Sequence, residues 1–263
     1  MAFIISLMNI DIYMSDISFA GVVNYLKIIK DPRILNATKN TFVFALIEVP
    51  IQIALALFLL MFMSRNTRLH KALRTVYYVP YVCSMTAVSI LWSRLLNANQ
   101  GILPYLMGKI GINMPNLLAS TTWAMPTVIA VTVWKSFGYT LTILSAAALG
   151  VPSSLYEAAQ MDGATGVKQF FYVTLPEIRE SIGFCLVTTL IVALQVFDQI
   201  YVMTSGGPQY STETLVGYIY NKGFQVAPYD LGYASAIAVY LFVIIAILTF
   251  MTRKYAFRQE AEE

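Results

Sequence analysis

The feature that most constrains this chain is a series of five long apolar stretches, at roughly 40–63, 75–96, 123–149, 182–203 and 231–252. Each reaches the ~20 mostly apolar residues that a helix needs to cross a bilayer at ~1.5 Å per residue. Backbone N–H and C=O groups in lipid must be satisfied within the segment, so helices are the expected conformation. Charge supports this reading. Only 12% of the 263 residues are charged and 58% are hydrophobic, against about 25% charged in soluble domains. A globule with that composition would lack polar surface, so the solvent is lipid and the fold class is an all-α membrane protein. No low-complexity linker divides residues 1–263, which therefore read as one transmembrane domain. Pro50, Pro80 and Pro126 lie in or near the spans as candidate kinks.

Other features narrow the class further. A net charge of +3, spread over short loops, gives no reason to expect nucleic acid. Cys83 and Cys185 both fall in apolar runs and read as small buried hydrophobes, with no metal site implied. Met1–Met8 is apolar but too short to span, and admits a reading as the end of a spanning helix that starts upstream. It has no basic n-region and no clear cleavage site, so it does not read as a signal peptide. Arg65, Arg68, Lys71, Arg74, Lys168, Arg179, Arg253, Lys254 and Arg258 fall on one side of the spans. Lys27, Lys30, Arg33, Lys109 and Lys222 fall on the other. The excess of Lys and Arg marks the cytoplasmic side. Segments 64–74, 150–181 and the C-terminus are thus expected inside, and 9–38, 97–121 and 204–230 outside.

The long inner segment 150–181 is the most informative. Pro152 suits a first helical turn, and Ser154 and Glu157 have the spacing of a capping box. Leu155, Ala158, Ala159 and Met161 then give a small apolar face on which another surface can approach closely. Gly163 after Asp162 predicts a helix stop. Thr165 is the expected cap of a second helix carrying Phe170, Phe171 and Val173, which Pro176 ends. A plain connection between two spans can be far shorter.

The order Glu157-Ala158-Ala159, three residues, Gly163, nine residues, then Val173-Thr174-Leu175-Pro176 resembles the EAA signature of binding-protein-dependent ABC permeases. Val173 replaces the isoleucine of that pattern. In that family the loop docks on an ATPase subunit, so the resemblance implies a coupling role for Glu157, Ala158, Ala159, Asp162, Gly163, Leu175 and Pro176. A second stretch is similar to the carbohydrate-uptake members, the maltose and glycerol-3-phosphate type. It comprises Phe197-Asp198, Ile200 to Thr204, Gly206-Gly207-Pro208, Thr212-Glu213-Thr214 and Gly232 to Ala236. The resemblance covers about residues 20–255. Its members usually have at least six spans, one more than are visible here.

The resemblance implies a type I importer permease forming half of a translocation path. Its expected partners are ABC ATPase subunits, which would hold the ATP and Mg, a second homologous permease, an extracytoplasmic solute-binding protein and a sugar-like substrate. The expected location is the bacterial cytoplasmic membrane, and no cofactor is expected on this chain. The chain has no G-x-x-x-x-G-K-[ST] loop to cradle phosphates and no catalytic cluster, so it is not expected to be an enzyme. Three other readings are an ABC permease for a non-sugar solute, an ion-coupled secondary transporter and a membrane scaffold or sensor. The second needs intramembrane ion ligands and usually repeated halves, neither of which is visible.

Polar residues inside spans are candidates for the path. Lys135 reads either as a path residue or as a paired structural lysine. Glu48 sits in the first full span and is expected near the cavity that a path residue at Lys135 would face. Gln195 and Asp198 stand three apart, the spacing of one helix face, with Tyr201 about a turn on. Aromatic platforms with hydrogen-bonding groups suit a polyol, although the same face could pack against a partner permease. His70 reads as solvated, and Trp92, Trp123 and Trp134 as interface or packing aromatics.

Overall fold

A computed structural model of the chain describes residues 1–13, 17–63 and 68–256. Arg65 and Arg258, both used in assigning orientation, lie outside the described residues. Among the described residues the regular structure is helical apart from a two-residue antiparallel pairing of Met8–Asn9 with Ser18–Phe19, with loops between helices.

Among the described residues, three helices are long and apolar enough to span a membrane: Pro32–Phe62, Ala124–Leu149 and Leu231–Lys254. The first starts where its sequence directs. The Asp31 carboxylate accepts the Arg33 N–H at 2.9 Å and Pro32 occupies the first helical position, the arrangement an N-terminus favours. Pro50 lies inside this helix without ending it.

The expectation of five uninterrupted spans needs correction at two places. The stretch 75–96 is a pair, Ala72–Val82 and Met85–Leu95, that qualifies as a span only together and bends sharply at its break. Pro80 stays inside the first helix of the pair, and Cys83 at the break is exposed rather than buried. The stretch 182–203 is also broken. Helix Arg179–Leu194 has only 16 residues, and the chain becomes helical again at Asp198–Met203. Between them Phe197 adopts φ −143° and ψ −64°. The Val196 carbonyl, freed from the helix ladder, accepts the Thr214 hydroxyl at 3.0 Å. Helix interruption inside a membrane protein needs such substitute partners. Met1–Met8 holds one four-residue helix, Ala2–Ile5, before the chain enters its short strand.

The chain divides into two compact units. One comprises Met1–Leu46, Met85–Val131 and Val192–Leu248. The other comprises Ile47–Ser84, Thr132–Ile191 and the described part of Thr249–Glu263. The core of the first gathers Ile34, Ala37, Leu215, Tyr218, Ala236 and Ile237. The core of the second gathers Leu60, Leu141, Leu144, Phe170, Ile178 and Cys185. Cys185 is thus the small buried hydrophobe its surroundings predict. Within this second unit a Cβ added at Gly138 would overlap the Tyr77 carbonyl, so the glycine is what lets helix Ala124–Leu149 approach helix Arg68–Val82 closely.

Candidate coupling segment and transport-path residues

Helix Ser153–Met161 forms where expected and contains no buried residue. Glu157, Ala158 and Asp162 are exposed and Ala159 is half-buried, while Met161 is 90% exposed. The helix ends in a Schellman turn. Gly163 has φ +76°, its N–H donates to the Gln160 carbonyl at 3.0 Å, and the Ala164 N–H donates to the Ala159 carbonyl at 2.8 Å. A Cβ at Gly163 would meet nothing within 4 Å. Its requirement for glycine is therefore one of backbone conformation alone.

Three local expectations are corrected. The Ser154–Glu157 capping box does not form. The N-cap is Pro152, and Ser154 lies inside the helix with no side-chain cap bond at its start. Thr165 does not cap the next helix, whose N-cap is Gly166 at φ +55°. Pro176 does not end the second helix: it sits in the turn Leu175–Glu177, and the break follows at Ile178. The chain around Pro176 is wound wide, as a π-helix over Phe170–Thr174, with the Leu175 N–H reaching the Phe170 carbonyl. Proline supplies no N–H to the α-type ladder, and a π-turn is one way for a helix to absorb that loss. The turn buries Phe170 and Val173 and leaves Phe171 53% exposed. Phe170 and Ile178 are rooted in the core of their unit. Helix Ser153–Met161 is tied to this root by polar contacts. The Tyr156 hydroxyl and Thr174 Oγ1 share a hydrogen bond of 2.9 Å, and Gln169 Nε2 donates to the Tyr156 carbonyl at 3.2 Å.

Lys135 is 7% exposed. Its ammonium donates to the Tyr81 carbonyl at 3.0 Å and lies 5.1 Å from the centre of the Tyr81 ring. That carbonyl belongs to the last turn of helix Arg68–Val82, where carbonyls lose their helical partners and a cation is favoured. Tyr81 in turn stacks on Tyr139 at 4.6 Å. The lysine therefore has a structural partner and an aromatic neighbourhood at once.

Gln195 and Asp198 do not share the face of one continuous helix, because Gln195 sits in the break and Asp198 opens the following helix. Both are exposed, and Tyr201 is 37% exposed. Helix Asp198–Met203 packs on helix Met85–Leu95 in the same unit.

One polar assembly escaped the sequence reading. Arg33 donates to both carboxylate oxygens of Glu213 at 2.7 Å, a bidentate pair with strong geometric definition. The guanidinium also lies 4.0 Å from the Tyr210 ring centre and 4.9 Å from that of Tyr218. Asn40 donates to the Tyr210 and Glu213 carbonyls at 2.9 and 3.0 Å. The Leu215 N–H donates to Thr41 Oγ1 at 3.0 Å. The loop after Gly206-Gly207-Pro208 is thereby fastened to the start of helix Pro32–Phe62. The Tyr218 and Tyr233 hydroxyls donate to Asp31 at 2.7 and 2.8 Å. Burial pushes the Asp31 carboxyl up, but these hydroxyls and the Arg33 and Ile34 N–H groups outweigh it and hold it below its ordinary value. Glu213 was visible only as part of a motif and Arg33 only as a loop charge; the 180 residues between them carry no local signal.

In the other unit, Glu48 and Gln52 are each 3% exposed and stand one turn apart. Gln52 Nε2 donates to Thr140 Oγ1 at 2.8 Å. Among the described residues, Glu48 Oε2 and Gln52 Oε1 have no hydrogen-bond partner.

Residues 37–260 match the family described as binding-protein-dependent transport system inner membrane component. The chain belongs to that family. Among curated relatives, this permease is 33% identical over 250 residues to the probable ABC transporter permease protein YurN of Bacillus subtilis, covering 94% of this chain and 85% of that one. It is 32% identical over 248 residues to the lactose transport system permease protein LacF of Rhizobium radiobacter, covering 92% and 82%. It is 33% identical over 245 residues to the sn-glycerol-3-phosphate transport system permease protein UgpA of Agrobacterium fabrum, covering 93% and 83%. Among solved structures, a chain of a bacterial ABC transporter involved in import of the acidic polysaccharide alginate is similar with a TM-score of 0.80 and 27% identity, covering 90% of this permease and 84% of that chain. A chain of the alginate transporter in complex with an alginate pentasaccharide-bound periplasmic protein gives a TM-score of 0.82 at 25% identity, covering 90% and 83%.

Proposed function

We propose that this permease is the membrane subunit of an ATP-driven importer for a sugar or sugar-like solute. It forms half of the translocation path in the bacterial cytoplasmic membrane, beside a second homologous permease. ABC ATPase subunits bind and hydrolyse ATP with Mg on the cytoplasmic side. A binding protein delivers the solute from outside.

The observation that carries this reading is helix Ser153–Met161. It bears the Glu157-Ala158-Ala159 run, has no buried residue, and closes in a glycine-dependent turn. A helix left uncovered yet fastened at a defined position through Tyr156 is suited to pass movement between an ATPase and the spans. The sugar class is supported by the names of the relatives and by the stretch from Phe197 to Thr214. Lys135, Gln195, Asp198 and Tyr201 are proposed to border the path, with specificity resting largely on the binding protein. The test is co-expression with the products of adjacent genes. The reading expects co-purification with an ABC ATPase and hydrolysis stimulated by sugar-loaded binding protein. Failure to associate with any such ATPase would remove it.

A further inference from the structure

Helix Ser153–Met161 meets the rest of its unit at a narrow seat. Of its nine residues, only Tyr156 and Ala159, one turn apart on one face, are less than exposed. A helix of that length is not stable by itself and takes its position from what it packs on. Tyr156 supplies two ties from this one position. Its hydroxyl shares a hydrogen bond of 2.9 Å with Thr174 Oγ1, and its carbonyl accepts from Gln169 Nε2 at 3.2 Å. The covalent route is slacker. The chain from this helix to the π-helical turn Phe170–Thr174 runs through Gly163 and Gly166, at φ +76° and +55°. A Cβ at either glycine would have no atom within 4 Å, so packing does not brace the link at these points.

Thr174 stands where the winding changes. It is 1% exposed. The Leu175 N–H reaches back five residues to the Phe170 carbonyl, whereas the Ile178 N–H reaches back four, to the Thr174 carbonyl at 3.1 Å. Phe170 and Ile178, on either side, are buried in the core of the unit, and helix Arg179–Leu194 follows directly. Single wide turns of this kind recur at functional sites. A displacement of the Tyr156 hydroxyl thus bears on the turn where its hydrogen-bond pattern changes, and from there on the start of the next helix.

We propose that Tyr156 is a positioning residue for coupling: its hydrogen bond to Thr174 carries displacement of helix Ser153–Met161 into the π-helical turn and the helix after it. This rests on the reading of segment 150–181 as the part that meets an ATPase, and adds the side chain through which that contact acts. It also separates two tasks. Glu157 and Ala158 are exposed for docking, whereas Tyr156 and Thr174 pass the movement on.

The test uses the complex of this permease with its partner permease and ATPase in lipid nanodiscs, at rest and trapped with Mg·ATP and vanadate. Hydrogen–deuterium exchange is read over residues 153–161 and 170–178. In the wild type, trapping should change exchange in both segments. In Tyr156→Phe, which loses one hydroxyl, and in Thr174→Val, which keeps the shape, the change over 153–161 should persist and that over 170–178 should shrink several-fold. The double variant should match the single ones, since the same bond is lost in all three. Thr174→Ser, which keeps the hydroxyl, should respond as the wild type does, and ATPase co-purification should be unaltered throughout. The proposal is overturned by an undiminished change over 170–178 in the single variants, by no change there in the wild type, or by additive loss in the double variant. It is equally overturned by a Thr174→Ser variant as impaired as Thr174→Val, or by loss of ATPase co-purification along with the tie, which would make the bond merely structural. Failure of the importer reading looks different: the wild-type chain itself would then bring down no ATPase.

Discussion

At the residue scale, stability concentrates in side chains whose partners lie far along the chain. The Glu213 side chain is 6% exposed and is ion-paired with Arg33 at 2.7 Å. Removing Glu213 leaves the Arg33 fork, 27% exposed, without its bidentate partner, at a cost below the ~3–5 kcal/mol of a fully buried pair. Glu213→Leu should therefore lower the thermal unfolding temperature of the detergent-solubilised chain markedly. The double variant Arg33→Met with Glu213→Leu should recover part of the loss, and a cycle of the two measures the coupling. Asp31 gives a pH dependence with a definite sign. Its folded-state value is depressed, so its contribution to stability is fully present above the unfolded value of about 3.9 and lost as pH falls through the lower folded value. Asp31→Asn should flatten the acid limb of an unfolding-versus-pH curve and leave its neutral region least changed in slope. Neither tie was legible beforehand, because a salt bridge across 180 residues leaves no periodic or local trace. Lys135 was legible as anomalous, since a charge in an apolar run stands out, but its partner is a backbone carbonyl that every residue possesses.

At the element scale, the helix at 153–161 and its glycine stop were legible because Gly163 meets a conformational need that few residues can meet. Its capping box was not, because the N-cap falls at Pro152 and Ser154 lies two residues inside it. The interruption at 195–197 was hidden for a different reason: the stretch 182–203 is apolar on average, and hydropathy is blind to a break that Thr214 fills from a distant segment. Gly163→Leu meets no steric obstacle, so its cost is the left-handed backbone, of order 1 kcal/mol. That variant should insert normally yet weaken ATPase association or separate hydrolysis from uptake. Ala159→Trp and Glu157→Lys should do the same by altering the docking surface. Wild-type co-purification, hydrolysis and uptake in all three would remove the coupling role. Gly138→Ala behaves differently. Its Cβ would run into the Tyr77 backbone, so the two helices must part, and the expected loss is in thermal stability of the purified chain.

At the scale of the whole molecule, orientation is the first expectation. The Lys and Arg distribution places segment 150–181 in the cytoplasm. Gln160→Cys, in a Cys83→Ser background, should react with an impermeant maleimide in inside-out vesicles and stay unlabelled in intact cells; labelling in intact cells would reverse the topology. The two compact units have a consequence for how such proteins can be recombined. The chain crosses from one unit to the other five times, and four of those crossings, after Leu46, Val131, Ile191 and Leu248, fall inside helices. A single join between Ile47 and Leu248 draws both units from two parents, whereas a join after Leu46 leaves the second unit whole and one after Leu248 leaves the first whole. Functional hybrids should instead tolerate joins after Leu46 in helix Pro32–Phe62 or after Leu248 in helix Leu231–Lys254, and shuffled libraries ought to be enriched for survivors with seams there.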